Sequence, residues 1–307
     1  EIAKVLVSGY QGKENDFSVE NTVMACVKHY ALYGAAEAGR DYNTVDMSRQ
    51  RIMNEFMLPY KAACKQGAGS YMASFNEFEG IPATANKYLL DDVLRKQWGF
   101  KGFIVSDYTG IPEMINHGIG DLQTVSARAL DAGIDMDMVS EGFTATLKQS
   151  LSEGKITQAQ IDQACRRILE AKYRLGLFKD PYKYCNEDRS LKELFNAQHR
   201  SISREIADEC QVLLKNENNL LPLKKSGRIA VIGPLGDAAG DMPGCWALTG
   251  KANQSVSLYQ GLKAALGANG TLSYAKGSNL VADSLLETKL NGMMGFVIPG
   301  MKTGKIH

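Results

Sequence analysis

Gly102-Phe103-Ile104-Val105-Ser106-Asp107-Tyr108 is an apolar run that ends in a carboxylate. Phe, Ile and Val suit the pleated, buried geometry of a strand. An acid at the exit of such a strand lies at the C-terminal rim of a parallel sheet, where α/β enzymes gather their reacting groups. There Asp107 can attack an electrophilic carbon, hold a metal or cap the helix that follows, and the stretch alone leaves all three open.

Working outward, three more runs read as buried strands, at 23–27, 70–75 and 133–138. Amphipathic helices over 48–66 and 123–131 lie between them, the first with Ser48 as its N-cap. A further helix covers 157–175. Thr157 and Gln160 form a capping box, Ile161, Ala164, Ile168 and Leu175 recur on one face, and Gly176 and Pro181 mark its end. This alternation predicts an α/β fold. Four βα units fit half of an eight-stranded barrel or an open doubly wound sheet, and periodicity does not separate the two. A whole barrel takes about 250 residues, so the barrel reading has the chain starting midway through it. Residues 180–227 read as a charged connector with a helix over 194–214, and 228–233 opens a second, incomplete α/β unit.

Of 307 residues, 44% are hydrophobic and 22% charged, which excludes a disordered or collagen-like chain. Lys and Arg total 35 against 34 acidic residues, so there is no electrostatic footprint for nucleic acid or an anionic membrane. No run approaches the ~18 apolar residues of a membrane span. The first residues lack the basic and apolar regions of a signal peptide, so none is expected in this chain. The six cysteines contain no C-x-x-C pair, and buried free thiols are expected. The four histidines are scattered, so neither a metal site nor a cofactor is expected. Gly233-Pro234-Leu235-Gly236-Asp237 lacks the glycine spacing of a dinucleotide loop, and no G-x-S-x-G, Walker A or H-E-x-x-H motif is present.

Two polar groups stand out beside Asp107. Lys28-His29 follows the run at 23–27 and reads as a pair just past a strand end. It can reach and orient a ligand hydroxyl, or be a satisfied His beside a snorkelling Lys. Arg40 lies in the polar loop Arg40-Asp41-Tyr42-Asn43, as a clamp for a carboxylate or hydroxyl or as a surface residue. Trp98 and Trp246 read as core residues.

Taken in order, several segments resemble glycoside hydrolase family 3, in particular its bacterial periplasmic β-glucosidases. They are Val27-Lys28-His29-Tyr30-Ala31, Gly39-Arg40-Asp41-Tyr42-Asn43-Thr44-Val45-Asp46-Met47-Ser48, Pro82-Ala83-Thr84 and Leu90-Asp91-Asp92-Val93-Leu94-Arg95. Gln97-Trp98-Gly99-Phe100-Lys101-Gly102, the nucleophile motif Val105-Ser106-Asp107 and Lys172-Tyr173-Arg174-Leu175-Gly176-Leu177-Phe178 continue the series. Val212-Leu213-Leu214-Lys215-Asn216 and Ile229-Ala230-Val231-Ile232-Gly233-Pro234-Leu235 complete it. Each motif is weak alone, whereas their order and spacing over about residues 10–279 are specific.

The resemblance implies the C-terminal half of a (β/α)8-like TIM barrel over 1–179, a linker with a helix over 180–227, and the start of an α/β sandwich domain over 228–307. It implies retaining hydrolysis of terminal β-D-glucosyl residues with Asp107 as nucleophile. Lys28 and His29 would bond sugar hydroxyls, Arg40 and Tyr108 would line the pocket, and Met72 and Phe75 would form its apolar floor. The substrate is a β-glucoside or oligosaccharide, the location periplasmic or secreted. The relatives' early barrel strands have no counterpart here. Their acid/base Glu comes from the second domain, further along than this chain, so the chain alone is expected to be nearly inactive. The tail, with Gly292-Met293-Met294-Gly295 and Gly300-Met301-Lys302, diverges from the family pattern. Open barrel edges predict self-association, so a homo-oligomer is an expectation. The rival readings are a β-xylosidase or exo-β-glucanase on the same scaffold, and a non-catalytic carbohydrate-binding or gene-fragment relative.

Overall fold

Helix α1 (Ile2–Gln11) prepares the first strand through its last residue. The buried Gln11 side chain accepts from the amides of Ala25 (3.0 Å) and Gly69 (2.9 Å), so it aligns two chain segments before either becomes a strand. The computed structural model describes residues 1–244, 254–280 and 282. Cys245, Trp246 and the divergent tail over 283–307 lie outside the described residues. The chain divides into two units, Glu1–Leu194 and Phe195–His307.

In the first unit, strand β1 (Cys26–Tyr30) is followed by a short β2 (Thr44–Val45) and by helices α2 (Arg49–Arg51) and α3 (Leu58–Lys65). Next come β3 (Ser70–Ala73), β4 (Glu77–Phe78), β5 (Ile81–Pro82), a wide helix over Tyr88–Gln97 and β6 (Phe103–Val105). Helices α4 (Gly110–Asn116), α5 (Leu122–Ala132), α6 (Gly142–Ser152), α7 (Gln158–Arg174) and α8 (Glu187–Glu193) complete the unit. The fold is mixed α/β. The main sheet runs β1-β3-β6, all parallel, with Met136 bridging to Val105 beyond β6. Its spatial order follows the chain order, without the reversal that marks a doubly wound sheet. Tyr30, Tyr71, Leu89, Leu90, Leu94 and Ile104 are fully buried on the helix-covered side. The Tyr30 hydroxyl donates to the Leu89 carbonyl at 2.9 Å, which satisfies the one polar atom this core ring carries.

Several expected boundaries move. The first strand lies at Cys26–Tyr30, not 23–27: the Val23 amide donates to Tyr10 O (2.7 Å), and pairing with β3 begins only at Cys26↔Ser70. Lys28 and His29 are therefore inside the strand, not past its end. The run at 70–75 stops at Ala73, which leaves Phe75 in the loop after it. The run at 133–138 is reduced to the single Met136 bridge, because the Asp135 side chain, instead of a backbone carbonyl, takes the Ile104 amide (2.8 Å).

Among the helices, the stretch over 48–66 begins as expected with Ser48 Oγ accepting from Arg51 N (3.3 Å), but it passes through a wide turn at Ile52–Phe56 before α3. Pro59 sits in the first turn of α3, where its missing N–H costs nothing. Helix α7 carries the capping box read at Thr157 and Gln160.

In the second unit, α9 (Ala197–Glu209) replaces the longer helix expected over 194–214. Asn196 Oδ1 accepts from His199 N (2.8 Å) and starts the helix three residues late. Strand β7 (Gly227–Ile232), helix α10 (Leu258–Leu266) and strand β8 (Gly270–Ala275) form a parallel βαβ unit. The expectation of buried thiols fails: Cys26, Cys165, Cys185 and Cys210 are exposed and Cys64 is half-buried, all free.

Candidate active site

Ser106 determines where the chain leaves β6. It is fully buried, its amide donates to Met136 O (2.9 Å), and its hydroxyl accepts from Met138 N (2.9 Å) while donating to Asp107 O (3.0 Å). These bonds fix the end of the strand against the neighbouring segment, so the next side chain emerges in one direction. That side chain is Asp107.

Asp107 Oδ1 accepts from the Tyr108 amide at 2.7 Å, and Oδ2 lies 3.4 Å from His29 Nε2. The carboxylate is only 13% exposed. The capping alternative does not hold, because α4 follows Thr109 and has no side-chain cap bond. Among the described residues no three His, Cys, Asp or Glu side chains gather as metal ligands would. What remains is a carboxylate with one oxygen tied to the backbone and the other turned toward an imidazole, a geometry suited to attack on an electrophilic carbon.

Burial pushes the His29 imidazole below its ordinary pKa, Lys28 adds to that effect, and the Asp107 and Asp41 charges oppose it. The ring is therefore neutral near pH 7 and can donate or accept one hydrogen bond at each nitrogen. Lys28 is exposed on the same strand. The Lys28–His29 and Tyr30–Ala31 peptide bonds are cis. A cavity of about 440 Å³ beside β1 is lined by Leu6, Val7, Lys28, Tyr33 and Tyr60, and Asp107 is not part of its wall.

The other expected site residues divide. Phe75 is brought to Asp107: the point where Gly110 would carry a Cβ is 3.6 Å from Asp107 Cβ and 3.7 Å from Phe75 Cε1. Met72 is buried one strand over, paired beside Val105. Tyr108 follows the nucleophile candidate and is 42% exposed. Arg40 is exposed, its carbonyl accepts from Asn43 N (3.3 Å), and its guanidinium makes no hydrogen bond or ion pair among the described residues.

Other residues were not legible as site residues. Tyr33 stands 4.9 Å from the His29 ring and 6.2 Å from Phe75, and Tyr42 lies 4.6 Å from Phe75. Burial and a hydrogen bond to Asp41 push the Tyr33 phenol far above its ordinary pKa. Glu77 joins the small β2-β4-β5 sheet to the end of α4. Its carboxylate accepts from Thr44 Oγ1 (2.6 Å) and faces His117 Nδ1 (2.5 Å), and the Thr44 bond does most to hold its pKa down. No sequence signal joins these residues, since each pair is local in space and not in the chain.

Residues 1–171 match the glycosyl hydrolase family 3 N terminal domain, and residues 211–291 match the corresponding C-terminal domain. A periplasmic beta-glucosidase of Salmonella typhimurium is 45% identical over 94% of this chain and 38% of its own length. A beta-xylosidase of Formosa agariphila is 36% identical over 89% of this chain and 40% of its own. The crystal structure of a beta-glucosidase from Listeria innocua in complex with glucose superposes with a TM-score of 0.83 at 34% identity, over 94% of this chain and 40% of that one. The chain thus spans 38% and 40% of the length of these curated relatives.

Proposed function

The chain belongs to glycosyl hydrolase family 3, and from that premise we propose that the protein removes terminal β-D-glucosyl residues from β-glucosides or oligosaccharides with retention of configuration. The observation that carries the reading is Asp107 at the exit of β6, with Oδ1 held by the Tyr108 amide and Oδ2 facing a neutral His29. The ionised carboxylate attacks the anomeric carbon, the glycosidic bond breaks, and water later releases the sugar from the ester. A second carboxyl group, about 5–5.5 Å from the first in retaining enzymes, protonates the leaving oxygen. None of the motif matches supplies a candidate for it. General acid–base help is worth roughly 10²–10⁴ in rate.

His29 and Lys28 are proposed to bond sugar hydroxyls, which would leave them unpaired with a sugar lacking those groups. Phe75 and Met72 contribute apolar surface, Tyr108 lines the pocket, and the exposed Arg40 is proposed to bond a substrate hydroxyl. Residues 1–179 are proposed as the C-terminal half of a (β/α)8-like TIM barrel, a reading supported by the sequential order β1-β3-β6-Met136. Residues 180–227 would then be the linker and 228–307 the start of the sandwich domain, supported by the parallel βαβ unit. A periplasmic or extracellular location is supported by the name of the Salmonella relative. A β-xylosidase is the second reading, favoured by the Formosa relative, at lower identity than the glucosidase.

The test is trapping with 2-deoxy-2-fluoro-β-glucosyl fluoride, whose leaving group needs little protonation, followed by peptide mass spectrometry. A glucosyl ester on Asp107, absent in Asp107→Ala, is the expected result. An ester on another carboxylate, or none on a folded chain, overturns the assignment.

A further inference from the structure

One carboxylate apart from the reacting groups closes a ring of contacts around Asp107. Two chain segments converge beside the nucleophile, the turn over 74–76 and the start of α4, and they meet at Gly110. The point where Gly110 would carry a Cβ is 3.6 Å from Asp107 Cβ and 3.7 Å from Phe75 Cε1. From there the segments diverge, one to Glu77 and the other along α4 to His117. Glu77 Oε1 and His117 Nδ1, 2.5 Å apart, join them again.

The two sides of this ring are not equally firm. Helix α4 is fixed by Ile111 and Met114, both fully buried. The turn is firm at its start, where Ser74 donates to Tyr30 O (2.8 Å) and Ala31 O (2.9 Å). Past Phe75 it has less support, because β4 and its partners β2 and β5 are two residues long. Glu77 faces Pro82 in the β4–β5 ladder, and Pro82 has no amide to give. The backbone keeps the bonds from Ala83 N to Asn76 O (2.9 Å) and from Glu77 N to Asn43 O (3.3 Å). The buried Asn76 leaves Oδ1 without a partner among the described residues, and its amide reaches the Glu77 carbonyl at 3.5 Å. With so few bonds of its own, this segment takes its position from side chains. The Glu77 carboxylate supplies two anchors, Thr44 Oγ1 (2.6 Å) and His117.

We propose that Glu77 is a positioning residue for the displacement: by bridging Thr44 and His117 it holds Phe75 against the turn from Asp107 to Gly110. The inference rests on the glucosidase reading of Asp107. With Phe75 in place the Asp107 carboxylate is 13% exposed, one oxygen on the Tyr108 amide and the other toward His29. Without the bridge Phe75 moves off, water and other rotamers compete for the carboxylate, and attack slows. Lys28 and His29 stay on β1, so sugar binding changes little.

The test is a double-mutant cycle on the full chain, read with 2-deoxy-2-fluoro-β-glucosyl fluoride. An Asp107 oxygen bonds to the anomeric carbon, the C–F bond breaks, and fluoride leaves with the electron pair. Saturation of the labelling rate separates its limit from the half-saturating concentration. Glu77→Ala is expected to lower the limit about tenfold and to change half-saturation less than about twofold, the pattern of a misplaced reacting group. Glu77→Gln, which can still accept from Thr44 and donate to His117, is expected to restore the rate. In a Phe75→Ala background Glu77→Ala is expected to change the limit less than about twofold, because its effect passes through that ring. A group that only stabilises the fold would lower the urea midpoint in both backgrounds and leave the limiting rate of folded protein alone.

Three results overturn the inference: an undiminished limit, a half-saturating concentration that rises as far as the limit falls, or the full loss persisting in the Phe75→Ala background. His117→Ala carries the same comparison where Glu77→Ala does not fold. If the parent chain gains no Asp107 ester, the glucosidase reading fails and this inference fails with it. A parent ester with any of the three contrary results overturns the inference alone.

Discussion

Truncating Asp135 to alanine tests how the strand that carries Asp107 is held. The Asp135 carboxylate is 1% exposed and accepts from Arg95 Nη2 at 2.5 Å, Arg167 Nη1 at 2.7 Å and the Ile104 amide at 2.8 Å. It ties α7 and the helix over Tyr88–Gln97 to β6. Burial pushes its carboxyl up while the two guanidiniums pull it back down. Removing one partner of a buried ion pair costs about 3–5 kcal/mol, because the charge left behind is uncompensated.

The lower part of that range applies here, for two reasons. Arg95 keeps the carbonyls of Gly102 (3.1 Å) and Gly133 (3.3 Å), and Arg167, 20% exposed, can turn partly to water. We therefore expect a loss of about 3 kcal/mol, a large part of the roughly 5–15 kcal/mol that stabilises a domain. Asp135→Asn, which keeps an acceptor for Ile104 N, should lose less. Urea unfolding followed by circular dichroism measures both. Lys87→Ala is the reference: its pair with Asp131 at 3.1 Å is more than half exposed on both sides, and such pairs contribute about 0–1 kcal/mol. An Asp135→Ala variant no less stable than Lys87→Ala would refute the claim that this trio fastens β6.

Other outcomes follow from the same structure. Gly102→Ala puts a Cβ 2.1 Å from the Gly69 carbonyl oxygen, where β6 starts against β3, and should lower stability by about 1–3 kcal/mol in thermal unfolding. Thr157→Ala removes the acceptor for Gln160 N at the start of α7 and should cost about 1 kcal/mol, with Thr157→Ser close to the parent. His29 has a folded pKa depressed by burial, so the unfolded chain binds its proton more readily. The stability this contributes is present above about pH 6.5, the unfolded value, and is lost as pH falls through the folded one. Urea midpoints at pH 7.5 and 5.5 should therefore drop further for the parent chain than for His29→Gln, and equal drops would contradict the assignment.

Much of the architecture was legible because its signals act within a turn of the chain. Thr157 and Gln160 are three residues apart and cap one helix wherever it packs. Gly176, with φ 75°, follows α7 in the left-handed conformation that glycine adopts without strain. The apolar triplet Phe103-Ile104-Val105 and the acid at its exit placed Asp107 at a sheet rim before any neighbour was known. The ordered motifs from Val27 to Leu235 identified the family, since spacing along a chain survives where single residues do not.

Tertiary structure decided whatever depends on partners distant in sequence. The first strand is three residues later than its hydrophobic run, because Gln11 and Tyr10 take the preceding amides and Ser70 sets the register. That shift puts His29 inside a strand, where its ring reaches Asp107 across 78 positions of sequence at 3.4 Å. Asp135 reads locally as part of a fourth strand, yet two arginines 40 and 32 residues away turn its carboxylate inward and shorten the ladder to one bridge. Arg40 and Tyr42 are near neighbours in one polar loop, and only the packing of Phe75 distinguishes the exposed arginine from the ordered ring. Sequence specifies which groups are available and how each turn is capped. Which groups meet is set by ladder register and by where buried charges find their counter-charges, and neither has a signature shorter than the fold itself.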